Sequence, residues 1–199
     1  MNRSPAPGPP GCLRSASSPA KTRPPNCSGS NSIILFGNPT DPITFVRQMK
    51  EQNFSVPYLH GWKGTWTNEF QEALGKDSNY VLADGFWSMD YPYPGVKELS
   101  ERYLNEKKKG SVSIGMFYAN AQVLLKAIEA SGSLDPKTVR DAIAGHEFKD
   151  TVQGDVTFDE TGLGLISSTA SQWWGDRLHL VYPAQGDWKL KLAPAWDQR

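Results

Sequence analysis

The chain of 199 residues predicts an α/β protein with a largely parallel sheet, and three observations carry that prediction. From residue 33 onward, short apolar runs alternate with stretches whose apolar residues recur every three or four positions, the texture of strand–helix units. Capping and terminating residues fall at the seams between them: Asp41-Pro42, Gly75 and Asp135-Pro136. No apolar run approaches the roughly 20 residues that span a bilayer, and the longest, Ile33 to Phe36, is only a strand in length.

In chain order, Ile33 to Phe36 reads as a buried strand, and the turn Gly37-Asn38-Pro39-Thr40 leads into a helix capped by Asp41, with Ile43, Val46 and Met49 as its inner stripe. Val56 to Leu59 is the next strand. The loop His60-Gly61-Trp62-Lys63-Gly64-Thr65 then enters a short helix over 67–74 that Gly75 terminates. Tyr80 to Ala83 is a third strand, and the prolines and tyrosines of Trp87 to Pro94 read as an extended, hinge-like crossover between two bodies. Helical spacing follows twice, in Val96, Leu99 and Tyr103 and in Phe117, Ala121, Leu124 and Ile128. A third helix starts at Asp135-Pro136 with Val139 and Ile143 inward, before a strand near Val156 to Phe158. In the tail, Leu178, Leu180 and Tyr182 alternate, as do Trp188, Leu190 and Leu192, which predicts a hairpin around Ala184 to Gly186.

Residues 1–32 differ from this body. They hold seven of the 15 prolines and seven serines with no aromatic and no acid, too little apolar surface to offset ordering entropy, so disorder is expected. Their proline density opposes the amphipathic helix of a transit peptide, and Leu13 alone cannot form the apolar core of an export signal. The segment reads as a start foreign to the body. It also holds four bases, Arg3, Arg14, Lys21 and Arg23. The 21 bases less these four leave 17 against 21 acids, a net charge of −4 for the remainder. That argues against a nucleic-acid-binding body, which needs a surplus of Lys and Arg on one face. Lys107 to Lys109, the basic run, suits a helix C-terminus.

Catalytic and metal chemistry leave few traces. Cys12 and Cys27 fit no zinc or redox spacing, and His60, His146 and His179 have no partner at a metal-ligand offset, so surface or capping roles are expected for them. Neither a nucleophile elbow nor a phosphate loop occurs. Asp159-Glu160 followed by Thr161-Gly162 reads as a solvated turn, and the tryptophans of the tail read as strand packing. No cofactor is implied. What remains is loop chemistry at the carboxyl ends of strands, where open α/β sheets place ligands. Gly37 to Thr40 sits at a helix N-terminus whose amides attract a carboxylate or carbonyl oxygen, and the next loop offers Trp62 as an apolar wall and Lys63 as a cation.

The order of elements resembles the later part of the leucine/isoleucine/valine-binding protein family, which has the type I periplasmic-binding-protein fold. The resemblance rests on Phe45-Val46-Arg47-Gln48 leading to Val56-Pro57-Tyr58-Leu59, and on Tyr118-Ala119-Asn120-Ala121 leading to Ala127-Ile128-Glu129. It is strongest from Asp135-Pro136 through Val139-Arg140-Asp141-Ala142 into Gly154-Asp155-Val156-Thr157-Phe158-Asp159-Glu160-Thr161-Gly162. In that family two α/β lobes close on a small molecule, which is then delivered to the permease of an ABC transporter outside the cytoplasm. The resemblance implies a solute-binding component for amino acids or related small carboxylates, with both lobes incomplete. Residues 33–86 would belong to the second lobe, 87–94 to a crossover, 95–165 to the first lobe, and 166–199 to a return to the second.

Carried across by position, Asn38 stands where some members place an aromatic against the ligand, and Lys63 where amino-acid binders place the acid that grips the ammonium group. A lysine there repels an ammonium and favours an anionic or amide-bearing ligand. Asn38, Thr40, Trp62 and Lys63 are therefore the expected ligand wall. A ligand-sensing receptor domain of the same fold and a non-functional gene fragment are the alternatives to a transport role, and exposed apolar patches with weakly cooperative melting are expected of the incomplete sheet.

Overall fold

The computed structural model describes residues 31–166, 168–185 and 187–199. The first part of the chain forms β1 (Ser32–Gly37), α1 (Thr40–Glu51), β2 (Tyr58–Lys63), α2 (Asn68–Leu74) and β3 (Leu82–Gly85). Next come three helices, α3 (Val96–Lys107), α4 (Ile114–Ser131) and α5 (Pro136–Gly145), and three short strands, β4 (Phe148–Thr151), β5 (Gly154–Phe158) and β6 (Gly164–Leu165). A hairpin closes the chain, β7 (Thr169–Trp174) with β8 (Arg177–Tyr182). The main sheet has the order β1-β2-β3-β7-β8, parallel through β3 and antiparallel beyond it, while β4-β5-β6 make a separate antiparallel sheet.

One face of the main sheet is covered. Ile33, Leu35, Leu59, Trp173 and Leu178 pack against Ile43, Val46 and Met49 of α1 and Phe70 and Leu74 of α2. The stripe expected on α1 is thus its buried face, and Thr67 caps α2 by accepting the Phe70 N–H at 3.3 Å. A second cluster joins the two sheets: Trp87, Tyr91, Val96, Ala119, Val152 and Leu180. Trp87 is fully buried and donates its indole N–H to the Val152 carbonyl at 2.8 Å. It lies against Gly115 of α4, where an added Cβ would fall 2.0 Å from the indole. Beside it, burial and the neighbouring Tyr93 push the Tyr91 hydroxyl up to about 12. A third cluster, Val123, Ala127, Val139, Phe148 and Val156, holds α4 and α5 on the small sheet.

Trp188 to Lys191 cross the opposite face of the main sheet, and Trp196 returns to the first cluster. Gln172, fully buried, donates to the carbonyls of Tyr80 (3.0 Å) and Lys191 (2.8 Å) and accepts the Lys191 N–H (2.9 Å). The Lys191 ammonium then stands 3.7 Å from the Trp174 ring and 4.1 Å from that of Trp188, on which His179 stacks at 4.1 Å.

Several expectations need correction. The residues expected as disordered lie outside the described residues except for Asn31 and Ser32, and Ser32 already opens β1. β2 begins two residues later than expected because parallel pairing with β1 runs from Ser32↔Tyr58 to Gly37↔Lys63 and draws Trp62 and Lys63 into the strand, and β3 begins two residues later, at Leu82, where its pairing with His60 of β2 starts. Asp41 is not the cap of α1; it lies inside the first turn after Pro39. The buried stripe of α4 is Gly115, Ala119, Val123 and Ala127, while Phe117 is 62% exposed and Leu124 is also outward, since only small side chains admit Trp87 and the neighbouring helix so closely. The tail reverses at Gly175-Asp176 between β7 and β8 rather than around Ala184, and Trp188 to Leu192 forms no strand because Gln172 holds its backbone as a single clamp. The crossover is not extended as expected: the Tyr91 N–H closes a turn on the Ser88 carbonyl and the Val96 N–H one on the Tyr93 carbonyl, while Trp87 and Tyr91 are buried in the second cluster.

Two measurements check this packing. Gly115→Ala forces Trp87 aside, so urea unfolding should show a loss of about 1–3 kcal/mol, the usual cost of overpacking. His179 has its pKa lowered from 6.5, chiefly by burial and then by Arg177, although Asp90 opposes the shift. The unfolded chain therefore takes up a proton that the folded chain resists, and stability should be intact above pH 6.5 and decline as pH falls below it. The fall in the urea midpoint between pH 7.5 and 5.5 should be smaller in His179→Gln.

Candidate functional site

At the carboxyl ends of β1 and β2 the chain makes two tight turns that touch. Gly64 is buried, and a Cβ on it would lie 2.8 Å from the Asn38 carbonyl carbon and from the Gly37 oxygen, so glycine is what lets the turns meet. Asn38, Trp62 and Lys63 thereby share one corner, since Gly37 pairs with Lys63 and Phe36 with Trp62. Thr40 opens the adjoining helix and is exposed, as is Asn38, and among the described residues no hydrogen bond links the four side chains.

The helix end is less open to an anion than its amides alone suggest. The Asp41 carboxylate turns back to accept the Asn38 N–H at 3.0 Å, and the Asp41 N–H goes to the Asn38 carbonyl at 3.0 Å. Pro42 has no N–H to offer. A fixed negative charge thus occupies the end of α1. Lys63 ends the next strand opposite Gly37 and makes no ion pair among the described residues. Its φ is +56°, in a turn closed by the Gly64 N–H on the Trp62 carbonyl at 2.6 Å. A left-handed non-glycine residue costs of order 1–3 kcal/mol and is characteristic of functional turns.

Trp62 is no core residue, being 41% exposed. It stands in a row of rings along the strand ends. Phe36 and Trp62 have centroids 6.1 Å apart, Trp62 and Trp66 6.2 Å, and Trp66 and Phe86 5.3 Å, the last two contacts edge-to-face. Sequence reasoning missed Phe36, Trp66 and Phe86. The alternation of β1 held a usable signal for Phe36, which shares a face with Ile34, but nothing local placed Trp66 or Phe86 beside Trp62. Trp66 also walls a cavity of about 390 Å³ that reaches Lys108, Ser111 and Val112. On the same sheet face His60 meets Asp84 at 2.6 Å, and His146 caps α5 on the Ala142 carbonyl at 2.7 Å.

Groups with displaced pKa values lie elsewhere. Asp135 and Asp159 sit below the usual carboxylate range because each accepts hydrogen bonds in an exposed turn, Asp135 from Thr138 and Asp159 from Thr161 and Leu163. Among the described residues no group of three His, Cys, Asp or Glu side chains forms a metal site, and no helix is long and apolar enough to cross a membrane.

A profile of the periplasmic binding protein family matches residues 26–169, and the chain belongs to that family. It is 26% identical over 147 residues to Leu/Ile/Val-binding protein homolog 2 of Brucella abortus, a match covering 74% of this chain and 39% of that protein. Among solved structures it resembles the leucine-binding protein LivK of Thermotoga maritima, with a TM-score of 0.65, 20% identity, and coverage of 76% of this chain and 43% of that one. It also resembles LivJ, the branched-chain amino acid transporter substrate-binding protein of Streptococcus pneumoniae solved with isoleucine, with a TM-score of 0.64, 16% identity, and coverage of 79% and 47%. These likenesses show a partial type I periplasmic-binding-protein fold, and the match spans less than half the length of each relative. The family is one of solute-binding proteins associated with ABC transporters.

Gly64→Ala tests the touching turns. It should cost about 1–3 kcal/mol and shift the amide resonances of Gly37, Asn38 and Thr40, because the added methyl meets backbone that cannot yield cheaply. Gly145→Ala, in the last turn of α5 with nothing within 4 Å of the new methyl, should leave those resonances unchanged and raise stability by up to about 1 kcal/mol.

Proposed function

We propose that this chain acts as the solute-binding component of an ABC transporter, taking up a small carboxylate outside the cytoplasm and presenting it to a permease. Asn38, Thr40, Trp62 and Lys63 form the wall that meets the ligand. The observation that carries the reading is the corner itself: two strand-end turns pressed together at Gly64, with Trp62 and Lys63 on one and Asn38 and Thr40 beside them. Strand ends of an open α/β sheet are where such folds hold ligands. Residues 33–86 with the return over 166–199 belong to the lobe that carries this wall, and residues 95–165 to the opposite lobe. Binding rather than catalysis is favoured because the displaced acids lie in exposed turns and Tyr91 lies in the core, away from the corner.

Lys63 is what sets the ligand's charge. A cation at this position attracts the carboxylate of the ligand and repels an ammonium group. Calorimetric titration with leucine and with 4-methylpentanoate, which has the same branched chain without the amine, separates the two. The wild-type chain should prefer 4-methylpentanoate, and Lys63→Glu should move the preference toward leucine by roughly tenfold or more, as expected for reversing one charge a few ångströms from another. An unchanged preference would remove Lys63 from the site.

A further inference from the structure

We infer that two copies of this chain pair through the outward face of α4, an association independent of the ligand wall. The observation is that α4 is apolar on both sides. Gly115, Ala119, Val123 and Ala127 are buried, while Phe117 and Leu125 are 62% and 65% exposed and Tyr118 and Leu124 48% and 47%. At about 3.6 residues per turn these four, with exposed Ala121 and half-buried Ile128, lie on the side of the helix opposite the buried stripe. Polar side chains of the helix turn inward instead: Gln122 accepts the Val152 N–H at 3.0 Å, and Lys126 donates to the Lys149 carbonyl. A helix apolar all round is ordinarily a buried one. No described helix is long and apolar enough for a membrane to be what covers it.

The pattern of the bare face fits a second copy of itself. Phe117, Ala121, Leu124 and Ile128 follow the spacing of a helix-pairing seam. The seam is symmetric about its middle: Phe117 and Ile128, and likewise Ala121 and Leu124, are equally far from the level between Gln122 and Val123. A two-fold axis there sets Phe117 against Ile128 of the second copy and Leu124 against its Ala121, so that a large side chain meets a small one at the centre. The six residues of the face carry no charge, and two such faces meet without repulsion. Area agrees with this. An aromatic or leucine side chain exposed to this extent presents on the order of 100 Å², so the four large residues contribute roughly 400 Å² from each copy. A standard interface takes about 800 Å² from each partner, a little over half of it apolar. With few polar contacts to add, the dissociation constant should be micromolar.

Sedimentation velocity on the full chain from roughly 1 to 100 μM should show monomer giving way to dimer. Leu124→Lys should raise the dissociation constant about tenfold or more, as should Ala121→Glu, and a mixture of the two variants should recover a dimer. Recovery follows because the antiparallel register sets the new acid of one chain against the new base of the other. Both positions are exposed, so far-UV circular dichroism of each variant should match that of the parent. Ile34→Lys, on the bare edge strand β1, should leave the dimer intact. A chain that stays monomeric at about 100 μM overturns the inference. So does a dimer that survives Leu124→Lys, one that Ile34→Lys dissolves, or an assembly that grows beyond two copies. A mixture that fails to recover the dimer overturns the antiparallel pairing.

Discussion

Trp87 is placed where almost every other arrangement in the chain passes through it. Its ring is fully buried among the crossover, α3, α4 and β8, and its N–H ends on the Val152 carbonyl, so one side chain joins the strand ends of the main sheet to the smaller sheet. A Trp of this size fully buried with its polar edge satisfied is among the largest single contributions a small core receives. It is possible only because α4 offers Gly115 at the point of contact. The choice of buried face on α4 follows from that contact, as does the position of Gly110 to Ser113. That segment brings Val112 to within 3.4 Å of where a Cβ on Gly85 would stand. The edge of the candidate site at β3 is therefore set by a tryptophan buried in the core.

Packing that strong in the middle coexists with bare apolar surface at two margins. On β1, an edge strand, Ile34 and Phe36 point away from α1 and α2 into the open. On α4, Phe117, Leu124 and Leu125 do the same. Burying one such side chain is worth roughly 1.5–3 kcal/mol, so two faces of this kind withhold as much free energy as the whole net stability of a small domain. The two margins are not equivalent. Phe36 reaches the strand end and the ring row, whereas Ile34 lies two residues further from it, alongside an unpaired strand edge that exposes backbone donors and acceptors.

How much of this is legible in the sequence depends on whether the deciding contact is local. Helices α1, α2 and α5 can be read from their stripes and caps because Ile43, Val46 and Met49, the Thr67 cap and Asp135-Pro136 act within one or two turns. α4 defeats the same reading: its large residues keep helical spacing, yet the buried side is the one with glycine and alanines, chosen by Trp87 from 28 positions away in sequence. The tail fails for a similar reason. Trp188, Leu190 and Leu192 alternate like a strand, but the partner of that backbone is the side chain of Gln172, which satisfies one residue's donor and acceptor and leaves no ladder to extend. In the site, Trp62 and Lys63 are visible from residue type and position, whereas the company Trp62 keeps is a matter of register. Phe36 is beside it because Gly37 pairs with Lys63.

The electrostatics of the corner also come out differently once the side chains are placed. A helix N-terminus by itself attracts carboxylates, and that makes Gly37 to Thr40 look like the anion site. Asp41 cancels this: its carboxylate lies at the helix end and holds the Asn38 N–H, so an incoming anion would meet a negative charge and one amide already taken. At an effective dielectric near 20, two unit charges 4 Å apart interact by about 4 kcal/mol, more than a helix end ordinarily contributes. The β1 turn therefore draws an anion less strongly than its free amides suggest, while Lys63 at the β2 turn is exposed and has no ion pair among the described residues. Asp41 thus sets a negative charge on the end of α1, and Lys63 a positive one on the turn that ends β2.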